Sequence, residues 1–272
     1  MGVQAKHWVI AAMMLCSGVV GAVDKVQKIR TPYLEGWEQV PLEVMEKQAA
    51  AFPGTYWLEG PGQRKQVALT FDDGPSANTP ELLKVLQKHG VHATFFWLGA
   101  QVEKSPDVAR DAAKQGHTIA NHSYNHPYSS KLIPAVFWRD QVARTQQIMQ
   151  STLGFAPTLF RPPYGDISDS EVKLMQGQGM KVVSWSIDTR DWWVAWKKGM
   201  PGEIEKMVTD YVHPEAIVLM HDGGGPRERT IAAVDALIPK LKAQGYEFVT
   251  VDAMLGVPGK QQFVQPQAAA SQ

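Results

Sequence analysis

Apolar residues along the chain fall into two kinds of run. Short stretches at 66–71, 93–97, 118–121, 158–161, 181–187, 216–220 and 247–251 have the length and residue types of β-strands. Between them lie longer segments with helical spacing and clear boundaries. Thr79-Pro80 and Ser105-Pro106 read as N-caps followed by proline at the first helical position. Ser168 with Glu171 three residues on reads as a capping box. Gly90, Gly116, Gly154 and Gly245 each stand just past a periodic segment, where a helix stops. Strands alternating with helices predict an α/β fold with a parallel sheet. Repeated this often, they predict a distorted (β/α) barrel with about seven parallel strands, whose chemistry gathers at the C-terminal strand ends.

The flanks follow another pattern. Residues 1–22 read as a secretory signal: Lys6 supplies a positive start, Trp8 to Val20 an uncharged core, and Val20-Gly21-Ala22 a small-residue exit. That core is short for a bilayer span, so a secreted or periplasmic protein with no stable membrane span after signal cleavage is expected. Residues 23–64 form an N-terminal extension, with a short helix after Pro41 as far as Ala51 and a Pro/Gly-broken aromatic stretch at 52–57. Residues 65–255 carry the regular pattern and form the main domain. The tail 256–272, rich in Gln and Ala, reads as disordered.

Composition narrows the partners. The 272 residues are 44% hydrophobic and 20% charged, which is ordinary globular composition. Lys+Arg and Asp+Glu are both 27, so nothing in the net charge calls for a nucleic acid or an anionic surface. Cys16 is the only cysteine and lies inside the signal, which excludes a thiol nucleophile or ligand in the mature chain.

The chemistry-bearing residues cluster where the strands end. The run 67–71 leads directly into Asp72-Asp73, and Gly74-Pro75 stops the strand, so both carboxylates can face one pocket. Asp-Gly-Pro is also ordinary turn chemistry. The third strand is followed by His122-Ser123-Tyr124-Asn125-His126, two histidines four apart that a helical turn would aim at one point. With Asp73 they make a three-ligand set that leaves positions open on a catalytic divalent metal. After the fourth strand, Arg161-Pro162-Pro163-Tyr164 offers a permanent cation on a stiff loop, either solvated or holding a carboxylate. The fifth strand delivers Asp188-Thr189-Arg190-Asp191-Trp192-Trp193, where the tryptophans are either an aromatic wall or core. The sixth delivers Leu219-Met220-His221-Asp222, with His221 placed for proton transfer or for a structural bond. Gly223-Gly224-Gly225 lacks the Lys-Ser/Thr of a nucleotide loop.

Taken together and in this order, Thr70-Phe71-Asp72-Asp73-Gly74, His122 to His126, Arg161 to Tyr164, Asp188 to Trp192 and Leu219 to Asp222 closely resemble the polysaccharide deacetylases. This is the NodB-homology domain of carbohydrate esterase family four, and the resemblance covers about residues 64–255. It implies a divalent metal, usually zinc, on Asp73, His122 and His126, with Asp72 as general base paired to Arg161. It further implies His221 as general acid tuned by Asp191, the Tyr164 backbone N–H at the oxyanion, and Trp192 and Leu219 around the acetyl methyl.

The residues agree with those roles, because amide hydrolysis needs an activated water, a place for negative charge and a proton for the departing amine. The expected reaction is removal of N-acetyl groups from an N-acetylglucosamine-containing polysaccharide or oligosaccharide, with acetate released. The glycan is the one partner expected, and Trp192, Trp193 and Trp196 offer faces for its rings. Two alternatives are a hydrolase of small non-sugar amides or cyclic imides, and an inactive glycan-binding module. The second would typically lack Asp72 or His221, and both are present.

Overall fold

The structure, a computed structural model, describes residues 30–31, 40–195 and 202–264. The expected signal and Trp196 lie outside the described residues. The strands are β1 Tyr56–Trp57, β2 Gln66–Asp72, β3 Thr94–Trp97, β4 Thr118–Asn121, β5 Ala156–Pro157, β6 Leu159–Phe160, β7 Lys181–Val183, β8 Ile187–Asp188, β9 Ala216–His221, β10 Glu247–Phe248 and β11 Lys260–Gln261. The main sheet runs β1-β7-β6-β4-β3-β2-β9-β8, with β10 joining β2, and all its pairings are parallel.

This is the expected distorted barrel, and its distortion has a local cause. The apolar run 181–187 is not one strand: it pairs beside β1 as far as Val183, leaves the sheet, and rejoins beside β9 at Ile187. Ser184 N–H donates to Trp57 O at 2.8 Å and Ser186 N–H to Ile217 O at 3.1 Å. Three residues thus link the two ends of the sheet. An extended chain covers only about 3.3–3.6 Å per residue, so the sheet must curl until its ends nearly meet.

Strand burial shows why the polar residues converge. In β2, Val67, Leu69 and Phe71 pack outward against the helices Thr79–His89 and Glu228–Ala243, in a core shared with Leu82, Leu86, Val234 and Leu237. Ala68 belongs to a second core inside the barrel with Phe96, Ala120, Ile217 and Leu219. The period-two alternation is hidden in the sequence because both faces are apolar. It sends Thr70 and Asp72 inward on β2, and Leu219 and His221 inward on β9, which lie opposite one another in register.

The flanks are built into this frame. The helix Leu42–Ala51 matches the one expected after Pro41, and β1, from the extension 23–64, is a strand of the main sheet. Beyond residue 255, β11 pairs antiparallel with β5, while residues 265–272 lie outside the described residues. Of the expected helix signals, the Ser168/Glu171 capping box is present. Thr79 proves to be the first helical residue, with Asn78 at the cap position. The expected strand 247–251 ends at Phe248, and Val251 opens the helix Val251–Leu255. Among the described residues, no helix is long and apolar enough to cross a membrane.

Candidate active site

The site lies at the C-terminal ends of β2, β4, β6 and β9, where the barrel reading expects it. Asp72 is the last residue of β2, and Asp73 takes a left-handed backbone with φ 72°. Asp tolerates that conformation better than most residues. It breaks the strand alternation, so both carboxylates reach the same pocket. The turn is pressed tightly against the second residue after β9: a Cβ on Gly223 would sit 2.2 Å from Asp73 O.

Asp73, His122 and His126 offer ligand atoms that all lie within 4.8 Å of one another. His122 Nδ1 lies 2.7 Å from Arg161 O, which can only accept, so the proton sits on Nδ1 and the Nε2 lone pair faces the pocket. Burial lowers the His122 pKa to about 3, which keeps that lone pair available. Nε2 of His122 and of His126 stand 3.6 and 3.4 Å from Asp73 Oδ1, too far for hydrogen bonds. Asp73 Oδ1 is buried with no hydrogen-bond partner. A buried carboxylate oxygen without a hydrogen-bond partner, facing two imidazole nitrogens, fits a divalent cation.

The histidine pair does not come from a helical turn, as its spacing suggested. It sits on a loop in which Ser123 and His126 have φ of 72° and 65°. Asn121 Oδ1 accepts from Ser123 N–H at 2.8 Å, and Ser123 Oγ accepts from His126 N–H at 3.1 Å.

Beside the triad, Arg161 is fully buried and uses its whole fork. Nη1 donates to Asp72 Oδ1 at 2.7 Å and to Thr70 Oγ1 at 2.8 Å. Nε and Nη2 donate to Val183 O and Ser184 O, the carbonyls freed where the chain leaves the sheet. Its guanidinium also lies 4.0 Å from the centre of the Phe96 ring. Of the two readings open to Arg161, the structure has the carboxylate pair. Burial raises the Asp72 pKa and the Arg161 charge offsets this only in part, leaving it above the ordinary carboxylate range. Asp72 Oδ2 faces His122 Nε2 at 3.7 Å.

Across the pocket, His221 Nδ1 lies 2.7 Å from Asp191 Oδ1. Asp191 Oδ2 accepts from His221 N–H and from Thr230 Oγ1 at 2.8 and 2.9 Å. Burial pulls the His221 pKa down, but the Asp191 charge and hydrogen bond prevail and raise it to about 9. His221 is therefore protonated at neutral pH, with Nε2 as the open end of the ring.

Tyr164, Leu219, Trp192 and Trp193 have these surroundings. Tyr164, at φ 59°, stacks on Tyr128 at 4.1 Å and meets the His126 ring edge-on at 4.5 Å. Leu219 is buried inside the barrel. Trp192 is half-buried and donates from Nε1 to Asp188 Oδ1 at 3.3 Å, while Trp193 packs against Val194, Ile204 and Ala233. Trp193 is thus partly core, the plainer of its two readings.

Several supporting groups had no distinct sequence signal. Thr70 and Thr230 fix Arg161 and Asp191, and Gln141 accepts from the loop between the histidines. Asp222 was visible only as the neighbour of His221. It is buried under the Asp73 turn, accepting from Thr79 Oγ1 at 2.5 Å and Trp97 Nε1 at 3.1 Å, and burial raises its pKa to about 7.

Comparison with known proteins agrees with this geometry. Residues 59–183 match the family model described as polysaccharide deacetylase. A Bacillus cereus peptidoglycan-N-acetylglucosamine deacetylase is 39% identical over 217 residues, covering 79% of this chain and 74% of that protein. A Bradyrhizobium chitooligosaccharide deacetylase is 33% identical over 77% of this chain and 95% of its own. The crystal structure of the Bc1960 peptidoglycan N-acetylglucosamine deacetylase superposes with a TM-score of 0.72 at 37% identity, covering 75% of this chain and 94% of that one. By fold, motif order and these likenesses, the chain belongs to the polysaccharide deacetylase family, hydrolases of non-peptide carbon–nitrogen bonds.

Proposed function

We propose that the protein removes N-acetyl groups from an N-acetylglucosamine-containing polysaccharide or oligosaccharide, releasing acetate. The observation that carries this reading is the grouping of a three-ligand set, an arginine-held carboxylate and an aspartate-held imidazolium around one pocket. Relatives named for peptidoglycan and for chitooligosaccharide share the N-acetylglucosamine unit, which supports it as the recognised sugar.

Asp73, His122 and His126 would hold a divalent metal, zinc in our reading, which supplies a Lewis acid for the acetyl carbonyl and lowers the pKa of water. Asp72 acts as general base: Arg161 occupies Oδ1, so Oδ2 receives the proton of the attacking water. The water oxygen bonds to the acetyl carbon, and the carbonyl oxygen gathers charge against the Tyr164 backbone N–H. His221 Nε2 then gives its proton to the sugar nitrogen as the carbon–nitrogen bond breaks. An amine leaves poorly unprotonated, which gives a histidine with a pKa near 9 a task that an ester would need less. Trp192 and Leu219 line the space for the methyl group. We assign catalysis to residues 65–255, with export directed by residues 1–22 to the envelope or beyond, where such glycans are met.

The test is acetate release from chitooligosaccharides, peptidoglycan glycan strands, O-acetylated xylan and small acetamides, with wild type and Asp72→Asn in parallel. Wild type is expected to act on the N-acetylated glycans and to lose activity on chelation. Asp72→Asn should fall by about 10²-fold or more. Efficient cleavage of small amides with every glycan inert would overturn the glycan assignment.

A further inference from the structure

The segment that holds the two histidines is supported from outside by an unusual turn. Between the helices Pro134–Val136 and Arg144–Leu153, residues Phe137–Ala143 form a π-helical turn. Such turns are rare and cluster at functional sites. This one brings two consecutive residues to the histidine loop. Gln141, 9% exposed, accepts at Oε1 from the backbone N–H of Tyr124 at 3.0 Å and of Asn125 at 3.3 Å. Val142 O accepts from Asn121 Nδ2 at 3.1 Å. Phe137 stays in the core against Phe160. In an α-helix each residue turns about 100°, so removing the extra residue of the π turn would swing the Gln141 side chain away from the loop or Phe137 out of the core.

Only three residues separate His122 from His126, and Gln141 ties down the backbone of two of them. The same stretch includes Ser123 and His126 at positive φ, a conformation that is unfavourable for non-glycine residues and persists only where neighbours impose it. We propose that Gln141 is a positioning residue for the ligand pair: its amide oxygen sets the backbone between His122 and His126, so that both Nε2 atoms face Asp73. This rests on the reading of Asp73, His122 and His126 as a metal site.

The test uses zinc alone as probe, titrated calorimetrically into the metal-free protein. Gln141→Met keeps the length of the side chain and removes the acceptor, and Gln141→Glu keeps an acceptor oxygen. Gln141→Met is expected to weaken zinc binding about 10-fold or more, in the range for groups that orient ligands. Gln141→Glu should stay within about threefold of wild type or bind more tightly, since its charge favours a cation. Equal affinity for Gln141→Met and wild type, or equal weakening in both variants, would overturn the proposal. Should Gln141→Met not fold, hydrogen exchange in the metal-free wild type decides. Tyr124 and Asn125 amides exchanging well below the rate of an unstructured peptide support the tie, and exchange at that rate refutes it. A wild type that binds no zinc would overturn the metal reading itself, and with it this inference.

Discussion

At the scale of single residues, Asp72 and His221 must be in opposite protonation states, and their surroundings arrange this. The proposed mechanism requires Asp72 ionised and His221 protonated, so the rate should rise as Asp72 loses its proton, above its ordinary value, and fall as His221 loses its own near pH 9. Asp191 is the cause of the alkaline limit. Without its charge, burial and the Arg227 charge pull the His221 pKa down against the Asp73 charge alone, so it should fall from about 9. Asp191→Asn keeps one acceptor oxygen for Nδ1 but turns its amide N–H toward the His221 N–H, so activity should fall while the alkaline limb of the pH–rate profile moves to lower pH. A limb that stays near 9 would show that Asp191 does not tune the acid. The reacting residues were legible in the sequence because they cluster immediately after strands. The supporting roles of Thr70, Thr230, Gln141 and Asp222 were not, since each acts through a partner distant in the chain, such as Thr230 with Asp191 or Asp222 with Thr79.

At the scale of elements, patterns spanning a whole strand or helix were legible, and pairings decided across the sheet were not. The Gly90 and Gly154 stops appear as left-handed C-caps because glycine alone enters that region without penalty. The run 181–187 looked like one strand because Val, Trp and Ile suit either a strand or a crossing segment, and the partners that decide between these are Trp57 and Ile217. β1 was missed because two residues carry no period. The histidine loop was misread as helical because spacing alone does not show that Ser123 and His126 take positive φ. The contact between the β2 turn and the residues after β9 makes an element-level prediction. A Cβ on Gly223 would meet backbone, at 2.2 Å from Asp73 O, so neither side can yield without moving the Asp72-Asp73 turn. Gly223→Ala should therefore cost about 1–3 kcal/mol in denaturant unfolding, the usual range for overpacking, and lower activity further by displacing both carboxylates. Gly177→Ala, where a Cβ meets nothing within 4 Å, is the control and should be neutral or slightly stabilising. Equal stability and activity in the two variants would contradict the tight packing of the turn.

At the scale of the whole molecule, the barrel and its base depend on residues that precede the family's regular pattern. β1 supplies Trp57 O to Ser184 N–H, and Tyr56 Oη shares a 2.9 Å hydrogen bond with Ser184 Oγ. Ser184 O in turn accepts from Arg161, and Arg161 holds Asp72. The stretch before residue 65 thus fixes the segment that joins the ends of the sheet, and through it Arg161 and Asp72. It also buries Met45, Phe52, Tyr56 and Leu58 in the inner core. At about 1.5–3 kcal/mol for each large apolar side chain, their loss approaches the 5–15 kcal/mol that separates a folded domain from its unfolded chain. Arg30 and Glu59 add an ion pair on the same side, with Arg30 Nη2 at 2.6 Å from Glu59 Oε1. A chain beginning at residue 30 should accordingly unfold in one cooperative transition with near-UV circular dichroism intact. A chain beginning at residue 65 should show no cooperative transition and no deacetylase activity, even though it retains every residue assigned to the chemistry. Cooperative unfolding of the shorter chain within a few degrees of the longer one would mean that residues 30–64 decorate the barrel rather than close it.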